Sequence, residues 1–336
     1  MTDALREDAA LGAVLGALVG DAAGAVLEFF GRPIEAADVE LAMTMPGGGT
    51  WNVAPGQITD DGELTMSLLH ALCETKTDVP PRRAAAVRYA AWVASDPFDI
   101  GATTAASLGC LRRGDFKGRA REAGADVAMT EAARERCMGS KANGSLMRAT
   151  PLAVWGARAG RGDEELVAAA QDDARLSHPN EACVDACTAY VLAIASLIRA
   201  PGDAARALDA ASAWAERSAC AEVRGWLADA AAGTVVPYSP QDGFVRIAFT
   251  HAFRHLRLGT SYVDALRETL AGGGDTDTNA CIVGGLVGAR WGARAIPEAM
   301  RAAVVGCDTS RGGNVRPDFL HPRTVPEQIR SLLAGP

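Results

Sequence analysis

Apolar positions along the chain recur every three or four residues, the period of a helix with one buried face, and strict two-residue alternation is almost absent. The pattern predicts helices over residues 61–75, 81–95, 103–112, 151–159, 163–176, 180–198, 204–214, 221–232, 244–258, 262–271, 278–293, 297–304 and 326–333, with a charged one around 130–136. Several open on a proline or on a hydroxyl or acid cap. Residues 11–28 read as a further helix, with Gly12, Gly16, Gly20 and Gly24 in one stripe, because four-residue spacing keeps side chains on one face. Glycine costs up to ~1 kcal/mol per helical position relative to alanine, so four of them need a packing reason. Gly284, Gly288 and Gly292 repeat the spacing, and the two stretches are expected to cross tightly, side by side, beneath a site. Residues 30–57, broken by Pro33, Pro46, Gly47, Gly48, Gly49 and Pro55, read as loop. The expected fold is all-α, built from many helices of moderate length.

Composition narrows this further. The chain has 336 residues, close to the upper limit for one core, and no linker or low-complexity run divides it, so residues 1–336 read as a single domain. The net charge of −8 is spread along the sequence; there is no basic patch interleaved with aromatics, which argues against stable nucleic-acid binding. No basic region precedes an apolar one at the N-terminus, which argues against a secretory signal. The apolar run 9–20 stops at Asp21, short of the ~20 residues a membrane span requires. The eight cysteines form no paired framework, and Cys183 and Cys187 are spaced for neither zinc nor redox pairing; they read as buried thiols in a reducing cytoplasm. A phosphate-binding G-x-x-x-x-G-K-[ST] loop is absent, as is a strand leading into a glycine fingerprint, so nucleotide-binding α/β folds lack support.

The chemistry gathers in two short stretches. Gly272-Gly273-Gly274-Asp275-Thr276-Asp277-Thr278 carries two carboxylates and two hydroxyls at the entrance of an apolar segment. Thr59-Asp60-Asp61-Gly62-Glu63 repeats the design more than two hundred residues earlier. Acids at helix N-termini serve as ordinary caps. A cap needs one acid, however, and a doubled pair crowds like charges that a cation would offset. Hard oxygens in this number suit Mg²⁺, Mn²⁺ or Ca²⁺ rather than zinc, and four carboxylates can hold two ions roughly 3.5–4 Å apart.

Other polar residues stand in suggestive settings. Glu28, at the end of an apolar run, is either a solvent-reaching helix end or an acid–base carboxylate over the metals; Asp99 is either a helix cap or a proton carrier. The turn Lys141-Ala142-Asn143-Gly144-Ser145-Leu146-Met147-Arg148 is either a plain loop or a cradle of N–H groups for a phosphate or ribose. His178, between Ser177 and Pro179, is the one histidine in a motif-like setting; His70, His251, His255 and His321 read as ordinary helix-face or tail residues. The glycine-rich tail 308–317 is a candidate lid.

Taken together and in this order, these segments resemble the ADP-ribosylglycohydrolase family. Gly20-Asp21-Ala22-Ala23-Gly24 with Glu28 looks like the family's opening helix, and Pro55-Gly56-Gln57-Ile58-Thr59-Asp60-Asp61 is similar to its first metal segment. Asp99-Ile100-Gly101 with Thr103-Thr104, Asn143-Gly144-Ser145-Leu146-Met147-Arg148, His178 and Gly273-Gly274-Asp275-Thr276-Asp277-Thr278-Asn279 look like the rest. The likeness runs from about residue 11 to 293, leaving 294–336 as an extension. It implies an all-α fold with two Mg²⁺ or Mn²⁺ ions in a cleft, held by Thr59, Asp60 and Asp61 on one side and Asp275, Asp277 and Thr278 on the other. ADP-ribose would lie against Gly101, Gly274, His178 and the turn Asn143, Gly144, Ser145, Leu146 and Met147, with Glu28 or Asp99 moving protons. One departure stands out: the family usually has Thr after the aspartate pair, whereas this chain has Gly62, with Glu63 next as a candidate to compensate.

The expected activity is metal-dependent hydrolysis of the C1″ bond of an ADP-ribosylated target, arginine first, releasing ADP-ribose. Serine-, O-acetyl- and nucleobase-linked ADP-ribose share the half these residues would grip and remain open, as does a silent ADP-ribose binder. A dinuclear phosphoesterase would call for histidines among the acids, and there are none.

Overall fold

The computed structural model describes residues 2–74, 81–112 and 114–335. Thr75, the last position of the expected 61–75 helix, lies outside them. In chain order the α-helices are α1 (Thr2–Gly24), α2 (Ala36–Ala42), α3 (Asp60–Glu74), α4 (Pro81–Ala94), α5 (Ala102–Ser107), α6 (Gly114–Ala123), α7 (Ala125–Arg136), α8 (Thr150–Gly156) and α9 (Asp163–Arg175). There follow α10 (Glu181–Arg199), α11 (Ala204–Ser218), α12 (Ala221–Ala231), α13 (Val245–Leu258), α14 (Tyr262–Gly272), α15 (Thr276–Trp291), α16 (Glu298–Gly306) and α17 (Val325–Ala334). Among the described residues the only β pairing is two isolated bridges, Gly48 with Val53 and Ala142 with Phe244. The fold is all-α, as the periodicity requires.

Three expectations need correction. The loop 30–57 contains α2, seven residues long and burying only Val39 and Ala42, too short to leave a period. The helix α6 buries no residue at all, so no apolar stripe marks it. Residues 11–28 are not one helix: α1 starts earlier, at Thr2, and ends at Gly24. Thr276 Oγ1 donates to the Gly24 carbonyl (2.7 Å), and Phe29 takes a φ of 50° that a right-handed helix cannot continue. Glu28 therefore sits in a turn rather than at a helix end.

The glycine stripes do what their spacing predicts. α1 and α15 run antiparallel and share the most extensive contact of any helix pair. A Cβ on Gly12 would lie 2.1 Å from the Gly288 carbonyl oxygen, on Gly16 2.4 Å from that of Gly284, and on Gly20 2.1 Å from that of Ala280. At Gly24 it would meet the Asp277 Cα at 2.3 Å. Backbone thus packs on backbone along the whole seam. The seam leads from the first helix to the entrance of α15, where the second acid cluster stands.

Around this pair one continuous apolar core extends to Ile296, Met300, Leu320, Val325, Ile329 and Leu332, so these side chains fasten the segment 294–335 to it. α10 is long and apolar enough to cross a membrane, but 94% of its apolar window is buried inside the protein, and it serves as a core helix. The tail 308–317 closes against the back of the site. Arg316, itself buried, grips Glu63 through Nε (2.7 Å) and Nη2 (2.9 Å), and Trp92 Nε1 donates to the same carboxylate (2.7 Å). Arg316 Nη1 also reaches the Ser95 and Asp96 carbonyls, fixing the turn that leads to Asp99.

Candidate active site

The two acid clusters meet. Asp61 stands with Asp21 and Asp277, and Glu28 with Asp275 and Asp277; in each triad one carboxylate oxygen from every member lies within 4.8 Å of the others. Asp277 belongs to both. All six acids named so far in this site, Asp21, Glu28, Asp60, Asp61, Asp275 and Asp277, are buried.

Asp21 is the member that sequence reasoning left without a role. Its Oδ1 and Oδ2 accept the Thr59 N–H at 3.1 and 3.0 Å, Oδ2 accepts the Gly62 N–H at 2.8 Å, and Oδ1 accepts the Thr59 hydroxyl at 2.7 Å. A carboxylate reaching from α1 thereby satisfies N–H groups that the start of α3 leaves without helical partners. With both oxygens so engaged, Asp21 acts as a buttress that aims Thr59, Asp60 and Asp61. Its signal in the sequence was a lone acid ending the apolar run 9–20.

The same contact explains Gly62. A Cβ there would sit 2.5 Å from Asp21 Oδ2 and 2.7 Å from the Ile58 Cβ, so the space a threonine would need is filled. Glu63 does not compensate within the acid cluster, because its carboxylate is turned to Arg316 and Trp92. Gly62→Thr is therefore expected to destabilise the protein by about 1–3 kcal/mol, seen as a lower Tm, and to weaken divalent-cation binding by displacing Asp21. An unchanged Tm with unchanged binding would contradict this role for the glycine.

Whether the cluster suits cations can be judged from its own atoms. Thr59 Oγ1 has one proton, and its shortest partner is Asp21; its lone pairs then face Asp61 Oδ2 at 3.3 Å and Asp277 Oδ2 at 3.4 Å. Asp61 Oδ1 is buried with no hydrogen-bond partner, a costly state for an acceptor. Carboxylate and hydroxyl oxygens converging in this way match a hard divalent cation. The protonation energetics agree. Burial, then repulsion from neighbouring acids, holds Asp60, Asp61 and Asp277 well above the usual carboxylate range. Burial also pushes Asp21 up to about 7, against the hydrogen bonds from Thr59 and Gly62 that pull it down.

Above the acids opens a cleft of about 400 Å³, a size suited to a small organic ligand. Of the residues expected to form a site, Glu28, Asp60, Asp99, Gly101, Asn143, Gly144, Met147, His178, Asp275, Asp277 and Thr278 line it. Thr59 and Asp61 lie beneath, buried within the acid cluster. Ser145 and Leu146 are buried in the core under the turn; the Ser145 hydroxyl faces the Cys187 thiol (3.4 Å). Gly274 stands behind the wall, accepting the Phe29 N–H at 3.1 Å. The tail 308–317 does not reach the cleft, but Asn314 holds the carbonyl of Trp51 (2.8 Å), and Trp51 Nε1 in turn donates to Glu28 Oε2 (2.6 Å).

The polar walls are built with care. Asn143 Nδ2 donates to Asp275 Oδ2 (2.7 Å), joining the glycine-centred turn to the second acid cluster. Arg148, fully buried, fastens that turn: Nη1 donates to the Gly144 carbonyl while Nε and Nη2 hold Asp173. Gly144 leaves room for the His178 ring, whose Cε1 would be 2.9 Å from any Cβ there. Burial, with Arg148 nearby, pushes His178 down to about 3, so it stays a neutral imidazole. Burial and the neighbouring acids push Glu28 and Asp99 up to about 7. Phe29, Trp51, Asp242 and Gly243 also line the cleft and were not foreseen. Phe29 is 54% exposed, and its left-handed backbone is unusual for a bulky residue.

Known proteins share this architecture. The sequence model of the ADP-ribosylglycohydrolase family matches residues 1–323. The ADP-ribosyl-dinitrogen reductase glycohydrolase of Rhodospirillum rubrum is 30% identical over 302 residues, covering 88% of this chain and 90% of that protein. An ADP-ribosylarginine hydrolase of Pseudomonas putida is 37% identical over 113 residues, 32% of this chain and 29% of its own. A solved structure described as an ADP-ribosylglycohydrolase-related protein complex superposes with a TM-score of 0.71 at 23% identity, covering 98% of both chains. By its sequence over nearly the whole length and by its helical architecture, this chain belongs to the ADP-ribosylglycohydrolase family.

Proposed function

We propose that the cleft hydrolyses the C1″ glycosidic bond of ADP-ribosyl-arginine and releases ADP-ribose, with two divalent cations, Mg²⁺ or Mn²⁺, as cofactors. The observation that carries this reading is the pair of buried carboxylate triads sharing Asp277. Thr59, Asp60, Asp61, Asp275, Asp277 and Thr278 would hold the ions. Bound there, such ions supply Lewis acidity, fixing ribose hydroxyls and lowering the pKa of a water.

The chain's own groups do the remaining work. Asn143, tied to Asp275, orients that carboxylate and gives the ribose side of the cleft its polar edge. No lysine or arginine lines the cleft among the described residues, so a pyrophosphate would rest on backbone N–H groups around Gly101 and Gly144. His178, neutral, can offer or accept a hydrogen bond without adding charge. The acidic wall formed by Glu28, Asp99 and Asp242 favours a cationic leaving side chain, and a relative named for ADP-ribosylarginine supports the same choice.

Glu28 is the better-placed proton carrier. Its Oε2 is anchored by Trp51, its carboxyl also bonds the Asp277 side chain, and its raised position near 7 lets it both give and take a proton. Asp99 flanks the cleft from the opposite turn. Glu28→Gln is expected to lower kcat by roughly 10²–10³-fold with little change in KM; a kcat within twofold of the parent would assign the proton transfer elsewhere.

Ionisation also makes a prediction for the metal-free protein. Asp21, Glu28 and Asp99 bind protons more tightly folded than unfolded. Such groups stabilise the fold below their unfolded pKa, and that contribution is lost as pH rises through about 7. In chelator, Tm should therefore fall between about pH 5 and 8. Saturating Mg²⁺ or Mn²⁺, which bind the ionised forms, should abolish the fall. A Tm that ignores both pH and cation over this range would contradict the cluster's assignment.

A hydrolysis panel tests the reading as a whole. Arginine-, serine- and nucleobase-linked ADP-ribose are supplied with and without chelator. Free ADP-ribose from the arginine linkage, only with cation present, is expected. AMP would indicate a phosphoesterase, and binding without product a silent ADP-ribose binder.

A further inference from the structure

The loop 233–243, which lends Asp242 and Gly243 to the cleft, is held behind it by His251 of α13, and His255 lies beside that histidine on the same helix. His251 and His255 are one helical turn apart, so their rings share a face, and both residues are fully buried. His251 Nε2 lies 2.8 Å from the Val236 carbonyl oxygen. A carbonyl can only accept, so Nε2 carries the proton and Nδ1 is bare; Nδ1 is buried and has no partner. The Tyr238 ring stacks on the same imidazole at 4.2 Å. In His255, Nδ1 faces Thr260 Oγ1 at 3.1 Å, and Nε2 is again buried and unpartnered. Glu268 of α14 completes the group, with one ligand atom from each of the three residues lying within 4.8 Å of the others.

Two orphaned imidazole nitrogens beside a carboxylate are expensive unless something fills the space between them. Two histidines four residues apart plus a glutamate from the next helix make a nitrogen-rich set that suits zinc and similar transition metals, unlike the all-oxygen cleft. The outer contacts also suit a metal. His251 donates its Nε2–H to a backbone carbonyl, the usual support of a metal-bound histidine. Glu268 Oε1 is held by Arg254 Nη1 at 2.5 Å, leaving its other oxygen to bind. Burial holds both imidazoles below their ordinary range, His255 at about 4, so at neutral pH they are in the form that binds metal. The residue after His251 is Ala252, so the set has no general base beside it.

We propose that His251, His255 and Glu268 form a structural site for one divalent transition-metal ion, zinc in the first instance, separate from the acidic cleft. It would clamp α13 to α14 and, through Val236 and Tyr238, steady the loop that borders the cleft. The inference stands on its own atoms and is independent of the glycohydrolase reading.

The test uses the full chain without a histidine tag, saturated with Mg²⁺, and Co²⁺ as a spectroscopic probe. One equivalent should give intense visible bands of low-coordinate cobalt, displaced by one equivalent of Zn²⁺, and Zn²⁺ should raise Tm by several degrees. His255→Gln should abolish the bands. Glu268→Gln, which alters a solvent-reaching side chain and leaves the core intact, should weaken Zn²⁺ binding at least roughly tenfold. Asp61→Asn, which damages only the acidic cleft, should keep the bands. Bands that persist unchanged in both the His255 and Glu268 variants, bands lost in the Asp61 variant alone, or no Zn²⁺ binding at all would overturn the site.

Discussion

Asp275→Ala is expected to lose turnover by at least about 10³-fold, together with the response to added divalent cation. The side chain belongs to one carboxylate triad and is the acceptor for Asn143 Nδ2 at 2.7 Å, so its removal both breaks up the proposed cation site and frees the Asn143 turn. Cation assistance in such reactions contributes several kcal/mol of charge stabilisation, and each 1.36 kcal/mol is tenfold in rate. The fold should survive, because Asp275 makes no side-chain cap bond to α15. Steady-state rates across a Mn²⁺ titration, with circular dichroism as the folding control, provide the check. A variant that stays active and cation-dependent would remove the acid cluster from the mechanism.

Gly20→Val is expected to act on the frame. In an isolated helix the change would be mildly favourable, since glycine is among the poorest helix formers. Here the new Cβ would lie 2.1 Å from the Ala280 carbonyl oxygen, 2.5 Å from its carbon and 2.9 Å from the Cys281 nitrogen. These are backbone atoms of α15 and cannot swing aside. The two helices must part, at a cost of about 3 kcal/mol or more, read as a Tm drop of roughly 4 °C or more. Because Asp21 follows Gly20 directly, and Asp277 lies one turn before Cys281, cation affinity should fall with stability. Gly20→Ala should show the same signs with a smaller amplitude. A stabilised variant would mean that propensity, not packing, governs this helix.

The frame was largely legible in the sequence because its signals are periodic or costly. Four-residue glycine spacing implied a close crossing, and α1 against α15 realises it. The doubled acids at two helix entrances implied a common destination, since neither pair is explained by capping alone. What escaped notice lacked such a signal. α2 is too short and α6 too solvated to show an apolar stripe. Asp21 appeared only as the residue that ended an apolar run, because its partners Thr59 and Gly62 are about forty positions away. Asp242 and Gly243 sit in an irregular loop where no spacing points to a cleft. His251 and His255 looked like ordinary helix-face residues, and only the unpartnered ring nitrogens set them apart.

The most direct measurement is anomalous scattering from crystals grown with Mn²⁺. Two peaks should lie where Asp60 and Asp61 of α3 face Asp275, Asp277 and Thr278 at the start of α15. Manganese absent from that space, or bound only at exposed carboxylates elsewhere, would contradict the account.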